Sequence, residues 1–230
     1  MEWLLIIAVL LFSIVLHEVA HAWVARREGD PTAERQGRIT LNPIPHLDPV
    51  GSILVPALLI AAPGGFIFGW AKPVPVNPSN FRDRRGGDIR VSLAGIAVNL
   101  LLAVGFAVAL VPLAAFGAEL GAEGAGGLVA GAAFYGILIN LILAIFNLIP
   151  VPPLDGSHVL YYLLPASVRE HYRSFGRFGI LALLAFLFLV PGGFRIIMVP
   201  VQVLTGLLLS VVGVDVAGLG AGVDPGAAQQ

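Results

Sequence analysis

The chain has 230 residues, 57% of them hydrophobic and 12% charged, with 13 Lys+Arg against 14 Asp+Glu for a net charge of -1. Charged residues are about half as frequent as in an ordinary soluble domain, so most apolar side chains must face lipid rather than an aqueous core. The charge balance excludes a polybasic nucleic-acid binder, and the absence of cysteine excludes disulfides and thiolate metal sites, leaving His and carboxylate ligands for any zinc.

Charge-free runs lie at 3–16, 49–71, 91–118, 124–154, 178–194 and 196–214. A bilayer core of about 30 Å takes about 20 helical residues, so the first run has to continue to about Val24. That extension carries His17, Glu18 and His21 into the membrane. A short apolar run ending in Ala20-His21-Ala22 looks like a cleavable leader, but Glu2 before it and Arg26-Arg27 directly after it oppose export.

Basic residues collect in three places: Arg26, Arg27, Arg35 and Arg38; Lys72, Arg82, Arg84, Arg85 and Arg90; and Arg169, Arg173 and Arg177. The positive-inside rule puts all three in the cytoplasm. The runs 91–118 and 124–154 then form an outgoing and a returning span. Residues 39–90 start and finish on one side, so 49–71 either dips in and returns, or crosses while 69–80 comes back through the protein. Pro56, Pro63-Gly64-Gly65 and Lys72-Pro73-Val74-Pro75 suit such a broken segment, which membrane depth tolerates only against protein or a wet cavity. Pro191-Gly192-Gly193 and Arg195 split the last two runs, as in a hairpin, and the Gly- and Ala-rich residues 215–230 are expected to be a disordered tail. Trp3, Trp70, Tyr161 and Tyr162 read as interface anchors. The expected fold is an all-α polytopic membrane protein of about four to six transmembrane helices, with a re-entrant or extended segment near the active site.

His17-Glu18-Val19-Ala20-His21 fits H-E-x-x-H, which on a helix puts two imidazoles about 40° apart on one face, able to grip one metal ion. Glu18 lies about 100° round the axis and can take a proton from a water on that ion. Three ionisable groups in one intramembrane turn are costly unless paired or metal-bound; the bland alternative is a polar helix end without metal. A catalytic zinc needs a third protein ligand, and His46, His158, His171 and several acids are available. Asp155 stands out because it ends the run 124–154, which travels in the same direction as the first, after a stretch that Pro150, Pro152 and Pro153 unwind. His158 is a weaker competitor, better read as an interfacial or supporting histidine.

These residues resemble the site-2 proteases, a family of intramembrane zinc metalloproteases. Besides His17-Glu18-x-x-His21, the stretch Asn147-Leu148-Ile149-Pro150-Val151-Pro152-Pro153-Leu154-Asp155-Gly156 is similar to the family's N-x-x-P-x-x-x-L-D-G. Leu93-Ala94-Gly95-Ile96-Ala97-Val98-Asn99 is similar to its L-A-G-P-x-x-N, with Ile96 where proline is usual. Gly37-Arg38-Ile39-Thr40-Leu41-Asn42-Pro43, with His46, Asp48, Pro49 and Gly51, and Gly69-Trp70-Ala71-Lys72-Pro73 are similar to short bacterial members. The resemblance covers roughly residues 10–165 and implies a minimal form without PDZ or CBS domain.

The resemblance implies one Zn2+ per chain held by His17, His21 and Asp155, with Glu18 as general base. It implies a membrane-anchored protein substrate cut within its transmembrane segment, such as an anti-sigma factor, a pro-sigma factor or a signal-peptide remnant. Asn99 and Asn147 would bind the substrate backbone or orient a ligand, or else satisfy backbone groups freed by nearby Pro and Gly. Residues 69–77 either pair with an unwound substrate as an added strand or form a structural re-entrant loop. The expected organisation is a catalytic membrane core over 1–165, a hydrophobic hairpin or helices over 166–214, and the tail. The expected place is the plasma membrane, multi-pass, with the active site toward the cytoplasm. Two other classes fit less well: a prenyl-protease-like membrane zincin, with a downstream Glu as third ligand, and a metal-binding or transport protein, which would scatter its ligands over several helices.

Overall fold

The structure is a computed structural model that describes residues 2–55, 58, 69–115 and 124–214. Its α-helices are α1 (Glu2–Glu28), α2 (Thr32–Arg35), α3 (Arg84–Ala115), α4 (Ala125–Leu148), α5 (Gly156–Leu163), α6 (Ala166–Leu189) and α7 (Gly193–Val211). Short 3-10 turns occupy Ile44–His46 and Pro78–Asn80, a π-type turn occupies Pro49–Leu54, and no strand occurs among the described residues. Four helices are long and apolar enough to cross a membrane, Leu4–Glu28, Arg84–Ala114, Ala125–Leu148 and Gly193–Val211, and α6 makes a fifth if its two halves, bent by 73°, count as one span. The chain is therefore an all-α polytopic membrane protein.

Helix boundaries depart from the charge-free runs for local reasons. Helix α1 continues through Arg26 and Arg27, whose charges complement the negative end of the helix dipole. Helix α4 stops at Leu148, because Pro150, Pro152 and Pro153 remove amide donors and push the preceding residues out of helical geometry. Helix α6 begins at Ala166, well before the apolar run at 178–194, since its first turns are amphipathic rather than apolar. The expected dip or crossing of residues 51–70 and the expected disorder of 215–230 fall largely or wholly outside the described residues.

The chain divides into two compact units, Ile14–Val98, and Met1–Ser13 with Asn99–Gln230, the boundaries falling within α1 and α3. In the first unit, Ala22, Ala33 and Val74 are buried together beside Ile39 and Val76, and Ala25, Phe81 and Val91 form a second small cluster. Residues 69–77 have no regular secondary structure. In the other unit, Ala103, Ala107 and Leu110 of α3 pack with Ala130, Ala133, Ile137 and Leu141 of α4 and with Val201 and Leu209 of α7. Lipid offers helices no hydrophobic drive to associate, so alanines and glycines serve by letting backbones approach; the Phe106 ring lies where a side chain at Gly136 would stand. Asn140, fully buried, donates to Ser13 Oγ and to the Gly136 carbonyl, both at 2.8 Å, and accepts from Asn99 Nδ2 at 2.8 Å.

Candidate metal centre

On α1 the residues at positions 13, 17, 21 and 25 are all buried, one i, i+4 row along a single face. His17 and His21 stand in that row with their Nε2 atoms 2.9 Å apart and their rings nearly perpendicular, at 85°. His21 Nδ1 lies 2.7 Å from the Val91 carbonyl oxygen of α3, and a carbonyl can only accept. Nδ1 therefore carries the proton, and the Nε2 lone pair is directed at His17.

Two ring nitrogens this close suit a shared cation once neither carries a proton. Zinc binds imidazole nitrogen at about 2.0–2.1 Å, so two such bonds at a tetrahedral angle span about 3.3 Å, a few tenths more than the observed separation. The pair needs only a small adjustment to hold zinc. Room for it comes from Gly95, one turn along α3 from Val91: a Cβ there would stand 2.5 Å from both His17 Cε1 and His21 Nε2. Glu18, on the same turn of α1, accepts the Val74 backbone N–H through Oε2 at 2.8 Å.

The loop groups near this unit's helix ends are engaged in hydrogen bonds of their own. His46 is buried, its Nε2 lying 3.0 Å from the Thr40 carbonyl and its own carbonyl accepting from Lys72 N–H at 2.9 Å, so it organises the loop. Asp30 is also buried and accepts from Asn77 N, Thr32 N, Thr32 Oγ1 and Asn80 Nδ2. Burial alone would raise its pKa, but these donors together outweigh it and hold the carboxyl below its ordinary range.

In the other unit, Asp155 is the residue just before α5, half-buried, at the end of the unwound stretch. That stretch is wedged on several sides. A Cβ on Gly156 would overlap the Leu148 carbonyl and one on Gly179 of α6 would overlap the Pro152 carbonyl, so only glycine permits these approaches. The Tyr172 hydroxyl donates to the carbonyls of Pro150 and Ser157, at 3.0 and 3.3 Å, and Leu154 is buried against Leu183, Leu187 and Ile197. Asn147 donates to the Leu143 carbonyl at 3.0 Å, one turn back on its own helix. His158 and His171 are exposed.

The profile of peptidase family M50 matches residues 5–190. The chain belongs to this family, that of the site-2 proteases. As an M50 peptidase it is a zinc metallopeptidase, and its cofactor is zinc. It is 44% identical over 191 residues to "Putative zinc metalloprotease YwhC" of Bacillus subtilis (strain 168), covering 82% of this chain and 81% of that one. It is 37% identical over 158 residues to "Putative zinc metalloprotease Rip2" of Mycolicibacterium smegmatis, covering 69% of this chain and 56% of the relative. The protein of the same name from Mycobacterium tuberculosis (strain ATCC 25618 / H37Rv) is 34% identical over 193 residues, 82% of this chain and 68% of that one. No solved structure matches.

The M50 peptidase thus has its two histidines converged as the H-E-x-x-H spacing predicts. The Val91 carbonyl and Val74 N–H escape any side-chain motif because they are backbone groups, and Asp30 and Asn140 each reach partners far away in sequence, Asn77 and Asn80 for the first, Ser13 and Asn99 for the second. Asn140 had one readable signal: it is an amide in the middle of a long apolar run, where polar groups carry a cost and hence a purpose.

Proposed function

We propose that this M50 peptidase cuts transmembrane segments of membrane-anchored proteins, that is, it performs regulated intramembrane proteolysis, with zinc held by His17, His21 and Asp155 and with Glu18 as the proton carrier. The convergence of the His17 and His21 Nε2 atoms on a helix apolar enough to span a bilayer, with Glu18 in the same turn, carries the reading. Asp155 is supported as third ligand by chemistry: a cysteine-free chain has only His and carboxylate to offer, and the wedged turn before α5 presents a carboxylate on rigid backbone.

Bound zinc supplies Lewis acidity, lowering the pKa of a water it holds toward about 7 and stabilising negative charge on the scissile carbonyl oxygen. With zinc bound, Glu18 would accept a proton from the attacking water and would return it to the departing amide nitrogen. His21 keeps its orientation through Nδ1–H to Val91. Asn99, spending its amide on Asn140, acts by fixing helix packing, while half-buried Asn147 at the end of α4 is placed to meet substrate backbone. The basic clusters orient the chain in the plasma membrane with the site toward the cytoplasm.

The full chain in liposomes, given a synthetic single-span peptide, tests this. Cleavage should stop with a zinc chelator and return on adding zinc, and Asp155→Ala should lose both zinc and cleavage. Zinc and activity retained in Asp155→Ala would contradict the ligand set.

A further inference from the structure

Residues 70–74 bond to the rest of their unit in a regular alternation. Trp70 N–H donates to the Gly51 carbonyl at 3.1 Å, Lys72 N–H to the His46 carbonyl at 2.9 Å and Val74 N–H to Glu18 Oε2 at 2.8 Å. The carbonyls of Trp70 and Lys72 face the same way, accepting from Ser52 Oγ at 2.8 Å and from Arg38 Nη2 at 2.6 Å. Every second peptide group points to one side, as in extended chain. At the far end Asn77 N–H donates to Asp30 Oδ2 at 2.7 Å. The intervening positions 73 and 75 are both proline, which has no N–H and a fixed φ.

We propose that this segment is a positioning strap for Glu18: the Val74 N–H holds one carboxylate oxygen, Arg38 and Asp30 clamp the segment on either side, and Pro73 and Pro75 forbid a one-residue slip in register. The inference rests on the reading of Glu18 as general base. A slip by one residue in either direction would bring a proline to Glu18, which cannot donate, so neither adjacent register satisfies the carboxylate. A glutamate has three rotatable bonds, and fixing it beforehand removes an entropy cost from the chemical step. With Oε2 engaged, Oε1 is left to exchange the proton.

Two measurements test the strap. Val74→Pro deletes the N–H; zinc content should stay at the wild-type level and KM within about twofold, while kcat falls roughly tenfold to a hundredfold, as for a lost hydrogen bond to a charged group. Val74→Ala, which keeps the N–H, should restore kcat to within about threefold of wild type. Independently, in the zinc-free protein, Glu18→Ala should speed exchange of the Val74 amide at least about tenfold while the Lys72 and Asn77 amides stay protected. That exchange decides the matter if Val74→Pro loses zinc. Wild-type kcat in Val74→Pro, or unchanged Val74 exchange in Glu18→Ala, overturns the strap. Full activity in Glu18→Gln would instead overturn the underlying role of Glu18, so the two failures are distinct.

Discussion

Gly95 sets how close α3 can come to the histidine pair. A methyl there would meet both rings at 2.5 Å, and helix backbone cannot yield as a flexible side chain would. Gly95→Ala should therefore turn the imidazoles away from each other and weaken zinc binding by at least about tenfold, measured by competition with a chromogenic chelator. Asp30 offers a second test at this scale. Its pKa is lower folded than unfolded, so it contributes stability at pH above the ordinary carboxylate value, and that contribution is lost as pH falls through the folded pKa. Thermal midpoints of the wild type should fall on acidification below about pH 5, and Asp30→Asn should flatten that slope. The histidine pair was legible in sequence because five consecutive residues of one helix hold it. The strap's donor was not, because a peptide N–H has no letter of its own.

Among the elements, α1, α3 and α4 are tied by polar side chains as well as by small-residue packing. Asn140 joins Ser13 and Asn99, and Ser13 lies one turn before His17. Replacing Asn140 by Leu keeps the branched heavy-atom shape but removes the partner of Ser13 Oγ, of Asn99 Nδ2 and of one Gly136 carbonyl lone pair. The expected loss is about 1–2 kcal/mol, read from detergent-denaturant unfolding, with zinc still bound in the folded fraction. Element boundaries were legible where proline or charge marks them. Pro150, Pro152 and Pro153 announce the end of α4, and apolar length announces α3. The start of α6 was hidden because Arg169 and Arg173 on an amphipathic helix interrupt the apolar run by which membrane helices are recognised.

For the molecule as a whole, the distribution of Lys and Arg predicts sidedness. The chain has no cysteine, so single cysteines introduced at exposed sites report their own positions without background. Cysteines at Arg27, Arg85 and Arg173 should react with a membrane-impermeant maleimide only from the cytoplasmic side, and one at Ala125 only from the opposite side. Labelling of Arg27Cys and Arg173Cys from different sides would refute the shared orientation of the first and fourth runs. The charge scarcity that marks this chain as a membrane protein also singles out the few ionisable groups within it. The most direct test of the Glu18 chemistry is Glu18→Gln, assayed for zinc content and for cleavage of a transmembrane peptide in the same preparation. The predicted result is zinc bound as in wild type with cleavage reduced roughly a hundredfold to ten-thousandfold. Zinc bound and cleavage undiminished would contradict it.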